Sequence, residues 1–187
     1  MTCIDDDRLL FYIEHAQQIR QWAALGDEVR DAANAFLIRM LQRFESRDDL
    51  PPEPVAWGGG VKGSFPHVVL YLDSWRDDEG KPLVRVVISW NKKHVGLDAR
   101  TAPYVGVTTN PTTKRGKMRS AQLRQALEGH RRAQGATATD WWPSRRRLPP
   151  QIVDGHIDLT RYEDELITEL YREFEATKPT ISGLLAG

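Results

Sequence analysis

The apolar residues of this chain change their period at a proline cluster, and that switch constrains the fold more than any other feature. Before it, Leu9, Leu10, Ile13, Ala16, Ile19, Trp22 and Ala23 recur at three- and four-residue steps, and Val29, Ala33, Phe36, Leu37, Met40, Leu41 and Phe44 do the same. Such spacing puts each set on one side of a helix, as an apolar stripe that seeks a core. Gly26-Asp27 lies between the two sets, and Asp27 can cap a second helix, so a helical pair is expected over 1–46. Helix cannot continue through Pro51-Pro52-Glu53-Pro54.

Beyond the prolines the period is two. Val55–Trp57, His67–Leu72, Leu83–Trp90, His94–Leu97 and Tyr104–Thr108 read as strands of an antiparallel meander over 54–109, with turn residues at Asp77–Gly80. Asn110–Met118 reads as a basic loop. Ser120 can cap a helix reaching about Ala133, closed by Gly135, and Thr139–Trp142 reads as one more strand. Thr160-x-x-Glu163 is a capping box that opens a last helix with Leu166, Ile167, Leu170, Tyr171 and Phe174 on its apolar side, stopped by Lys178-Pro179. The expectation is one α+β domain over 1–187. It has a mostly antiparallel sheet of about five strands, with an N-terminal helical pair and two C-terminal helices packed on it. Its parts are 1–46, 54–109, a basic loop, helix and Trp-rich segment at 110–150, and a C-terminal helix and tail at 151–187.

The chain has 187 residues, 40% hydrophobic and 28% charged, which suits one globular core. The single cysteine, Cys3, allows no internal disulfide. No apolar run approaches the roughly 20 residues a bilayer crossing needs, and the acidic start lacks the form of a signal peptide. A cytoplasmic protein with no membrane partner is therefore expected.

Catalytic motifs are sparse. There is no Gly-x-Ser-x-Gly elbow. Gly58 to Gly60 followed by Val61-Lys62-Gly63-Ser64 has the residues of a phosphate loop in the wrong order, Lys-Gly-Ser before a strand. His15, His67, His94, His130 and His156 are too scattered for a zinc motif, and His94 with Asp98 makes one pair, not a site. No cofactor is expected on these grounds.

Two resemblances bear on function. The order of helix, strands and helix resembles the PD-(D/E)XK nuclease core. That likeness implies an acidic residue ending one strand and an acidic-x-Lys triplet on the next, with Mg²⁺ held by the carboxylates. Asp73 and Lys92 would fill two of those places, and Glu14 on the first helix would lend a further carboxylate. In Ser89-Trp90-Asn91-Lys92, however, Trp90 replaces the acid. The resemblance therefore implies a metal-dependent nuclease or its inactive relative. Ile88-Ser89-Trp90, Asp140-Trp141-Trp142, Asp158-Leu159 and Phe174 to Pro179, spread over residues 83–180, look like an uncharacterised bacterial domain that accompanies restriction-type nucleases. This likeness implies a bacterial or phage protein of DNA metabolism or defence.

The net charge is zero, but it is unevenly spread: −5 over 1–60, +2 over 61–110, +8 over 111–150 and −5 over 151–187. In the basic block Lys114, Arg115, Lys117, Arg119, Arg131, Arg132, Arg145, Arg146 and Arg147 are candidate phosphate contacts. Trp141 and Trp142, which would point to opposite faces of a strand, offer a stacking surface for an unpaired base. The same cations could instead pair with the acidic last helix, an acidic protein partner or a second copy in a homodimer. The primary expectation is a non-catalytic domain that contacts nucleic acid or another polyanion. The alternatives are the nuclease reading and a protein-interaction or inhibitor module.

Overall fold

A computed structural model describes residues 6–45, 55–60, 63–154 and 156–186. Cys3, Lys62 and the proline linker lie outside the described residues. The chain is α+β. Its elements run α1 (Asp6–Glu45), β1 (Val55–Gly60), β2 (His67–Leu72), β3 (Val84–Ser89), β4 (Tyr104–Thr109), α2 (Lys114–Ala126), α3 (Glu128–Gln134), β5 (Ser144–Arg147) and α4 (Leu159–Ala186). The five strands form one sheet in the order of the chain, each antiparallel to its neighbour.

Alternation along the strands divides the sheet into two faces. Val68 and Leu70 of β2, Val84, Val86 and Ile88 of β3, and Val105 and Val107 of β4 are buried in a common core with α1 and α4. Phe36 of α1 stacks on Tyr162 of α4 with ring centroids 6.0 Å apart, and Trp75, in a 3-10 turn after β2, meets Phe174 at 5.6 Å. Each fully buried Leu, Ile or Phe in this layer contributes about 1.5–3 kcal/mol. Two polar contacts fix the placement of α1. The Trp90 indole donates to Asn34 Oδ1 at 2.9 Å, and Arg43 pairs with Glu163 at 2.7 Å.

The structure departs from the expected elements where local signals met stronger tertiary ones. A single helix, α1, replaces the helical pair. Asp27 accepts from Arg30 at 2.6 Å instead of capping, and one interior glycine costs only about 1 kcal/mol. The expected strand at His94–Leu97 is a run of turns, because the Asp98 carboxylate captures the Arg100 and Thr101 amides at 2.6 and 3.0 Å and bends the chain. The expected basic loop is mostly the start of α2, capped by Thr113, whose hydroxyl accepts from the Gly116 amide at 3.0 Å. Ser120, expected as that cap, lies inside α2 and donates to the Asp140 carbonyl at 2.5 Å. The last strand is Ser144–Arg147 and not Thr139–Trp142, where Thr139 and Trp142 close a turn upon each other at 2.8 Å. Asp158, not Thr160, caps α4 by accepting from the Arg161 amide at 3.0 Å. The helix also runs through Pro179, whose ring forgoes one hydrogen bond while Ile181 stays buried in the core.

Candidate nucleic-acid interface

The structure sorts the basic block into cations that hold the fold and cations that face solvent. Arg131 donates to the carbonyls of Arg124 and Pro143, the latter at 3.1 Å, and so ties α2 and α3 to the segment before β5. Arg132 pairs with Glu128, and Arg124 pairs with Asp140 at 2.9 Å. Arg146 faces α4 and pairs with Glu169, which also accepts from Arg172. Arg147 donates to the Ala102 carbonyl at 2.7 Å and to the Tyr104 hydroxyl. Its guanidinium lies 4.1 Å from the centroid of the Tyr104 ring, and that of Arg145 lies 4.8 Å from it. Arg131, Arg132, Arg146 and Arg147 therefore have intramolecular partners that a phosphate would have to replace.

The first two turns of α2 are different. Lys114, Arg115 and Lys117 are exposed, and among the described residues none of them has an ion pair or side-chain hydrogen bond. The first turn of this helix carries no acidic residue. Cations there oppose the positive end of the helix dipole, at a cost of about 0.3–1 kcal/mol each that no local partner offsets. Arg119 follows one turn on. Burial and then the neighbouring Arg115 lower its pKa from the ordinary arginine range, while Asp77 of the β2–β3 connection works in the other direction.

The adjacent tryptophans do not alternate across a strand. Trp141 is half exposed, and its carbonyl accepts from the Thr108 hydroxyl at 2.9 Å and the Thr109 amide at 3.1 Å. Trp142 is partly buried against Tyr104, with centroids 6.1 Å apart. Its position directs attention to the sheet face that points away from the core. Register sets His67, Ser89, Tyr104 and Arg147 in one row, Val69, Val87, Gly106 and Arg145 in the next, and Arg85 beside Thr108 in a third. Over this face lies a cleft of about 120 Å³, with Phe65, His67, Arg85, Ser89, Thr108 and Trp142 around a floor of Val69 and Val87. Ser89 donates to the Pro66 carbonyl at 3.0 Å, and one His67 nitrogen, Nδ1, meets the Phe65 carbonyl at 3.1 Å. Arg85 is partly buried, its pKa is lowered chiefly by desolvation, and it has no hydrogen bond or ion pair among the described residues. The sequence reading missed this residue, although a lone arginine in the apolar run Leu83–Trp90 was its available signal.

Larger hollows, of about 240 to 400 Å³, flank α4, where Glu165 lines all of them and Glu169 two, alongside Arg161 or Arg172, so none is a purely basic surface. The residues of the nuclease resemblance are not brought together. Asp73 follows β2 and pairs with Arg76 at 3.0 Å, and the β2–β3 register puts it at the end of the sheet where β3 begins. Lys92 lies past the far end of β3, a strand length of roughly 20 Å away at about 3.3 Å per residue. Glu14 is exposed on α1. Among the described residues no three His, Cys, Asp or Glu side chains are grouped to hold a metal, and no helix is long and apolar enough to cross a membrane. No family model matches the chain, and comparison with curated proteins and with solved structures returned no match.

Proposed function

We propose that this protein is a non-catalytic nucleic-acid-binding domain that contacts the phosphate backbone through α2. The observation that carries the reading is the exposed set Lys114, Arg115 and Lys117, at a helix start whose first turn holds no carboxylate, with Arg119 following one turn on. Cations so placed are unfavourable for the isolated helix and become favourable when phosphates approach and release their counterions. Arg145, Arg146 and Arg147 are poor sites for a test, since two of them donate to Glu169, Ala102 and Tyr104 and their loss would disturb the fold. The variant of choice replaces Lys114, Arg115 and Lys117 together with Ala. Binding of labelled single- and double-stranded DNA and RNA at about 50 and 200 mM salt should weaken in this variant, and the slope against log salt should fall by up to about three units. Equal affinity of variant and wild type, or no binding of either at the lower salt, would refute the reading.

A second reading, self-association, rests on α1. Ala33, Phe36, Leu37, Met40 and Phe44 are buried, whereas Phe11, Ile13, Trp22, Leu25 and Val29 on the preceding turns are each more than half exposed. Trp22 and Val29 continue the buried stripe at three- and four-residue steps, so a second copy presenting the same stripe is the matching partner. Light scattering should then report a dimer that Trp22→Glu dissociates; a wild-type monomer at the highest soluble concentration would dismiss it.

A further inference from the structure

We infer that the face of the sheet turned away from α1 and α4 is a second contact surface, specific for single-stranded nucleic acid, in which Arg85 takes a phosphate and Phe65 and Trp142 flank a base. The inference rests on the nucleic-acid reading above and adds to it the strand state of the ligand and the residues that select it.

Three observations converge. The first is chemical: Arg85 is a partly buried guanidinium without an ion pair or hydrogen bond among the described residues. Charges withdrawn from water are ordinarily paired, because leaving one unpaired costs free energy. A guanidinium kept this way is ready for an anion that the chain does not itself supply, and its planar fork suits a phosphate. The second is electrostatic. The rows of this face carry Arg85, Arg145, Arg147 and His67, and none of the strand positions in those rows is acidic. The third is steric. Phe65 is 60% exposed and Trp142 borders the same cleft, so flat apolar surfaces stand beside the cation.

The cleft holds about 120 Å³. Sites for whole cofactors and drug-sized molecules occupy roughly 300–1,000 Å³, so this one suits a single unit of a longer chain. Stacked, paired bases in a duplex do not present a free face to an aromatic side chain, whereas an unpaired base does. The floor of the cleft is Val69 and Val87, which is apolar and suits the ring of a base better than a second phosphate. The basic start of α2 then serves the backbone of either strand state, and the sheet face distinguishes between them.

The test uses the full chain and two probes, a fluorescein-labelled oligothymidylate of about 15 nucleotides and a duplex of the same length. Variants are Arg85→Gln, Phe65→Ala and the triple Ala replacement on α2. Arg85→Gln and Phe65→Ala should each weaken oligothymidylate binding about tenfold while changing duplex binding less than about twofold. The α2 variant should weaken both probes. Phe65 is exposed, so its replacement leaves folding intact and keeps the inference testable should Arg85→Gln misfold. If the α2 variant weakens binding but Phe65→Ala and a folded Arg85→Gln bind oligothymidylate as the wild type does, the sheet-face inference fails and the α2 reading stands. If the wild type binds neither probe, both fail together.

Discussion

Gly106 tests whether the β4–β5 pairing depends on the absence of a single side chain. It sits in β4 opposite Arg145 with φ 158°, and a Cβ built there would stand 2.0 Å from the Ser144 carbonyl oxygen and 2.7 Å from the Arg145 Cα. Both obstacles are backbone, so no rotamer change relieves the clash. Gly106→Ala must push β5 away from β4. Overpacking of this kind costs about 1–3 kcal/mol, and each ladder hydrogen bond lost adds about 1 kcal/mol. Displacement also loosens the contacts of Arg145 and Arg147 with Tyr104. The expected loss is about 3 kcal/mol, which for a chain of this size lowers Tm by roughly 6–12 °C. Urea denaturation followed by circular dichroism measures it. Gly129→Ala is the matched control: its Cβ would meet nothing within 4 Å, and an alanine in α3 should stabilise by up to about 1 kcal/mol. A Gly106→Ala midpoint within about 0.5 kcal/mol of the wild type would refute the steric argument.

Other outcomes follow from the same contacts. The Asp98 carboxyl is held below the usual aspartate range first by the Thr101 hydroxyl and then by the Arg100 amide. A carboxyl depressed in the fold contributes stability above its unfolded value near 4 and loses it as the pH falls through the folded value. Acid unfolding of Asp98→Asn should therefore show a shallower pH dependence below pH 4 than the wild type, and identical profiles would contradict the assignment. Arg146→Met should cost about 1–2 kcal/mol by thermal melting, less than the about 3–5 kcal/mol of a fully orphaned buried charge, because Glu169 keeps Arg172. A loss above about 3 kcal/mol would mean that Arg172 does not compensate.

Much of the fold was legible in the residues alone. Runs enriched in Val, Ile and Leu located β2, β3 and β4 to within a residue or so, because such side chains fit the pleated surface of a buried sheet. The apolar stripe of α4 and the second stripe of α1, from Ala33 to Phe44, lie over that core, whereas Ile13 and Trp22 of the first stripe are exposed. Capping and breaking signals were less reliable. Gly26-Asp27 and Lys178-Pro179 each cost a helix only a few kcal/mol, so nothing local forced a break in α1, while core burial beyond Pro179 outweighed the break in α4.

The candidate site was legible in part. Composition alone located the excess positive charge in 111–150, but only the tertiary structure decided which cations remain available. The partners that occupy Arg146 and Arg147 lie between 23 and 45 residues away, at Glu169, Ala102 and Tyr104. Arg85 came to notice for the same reason in reverse: in the sequence it is one charge in an apolar strand, and only the register shows that no acidic residue faces it across the sheet. Periodicity is a property of neighbours along the chain and can be read from sequence. Whether a charge is satisfied depends on neighbours in space, and folding alone sets those.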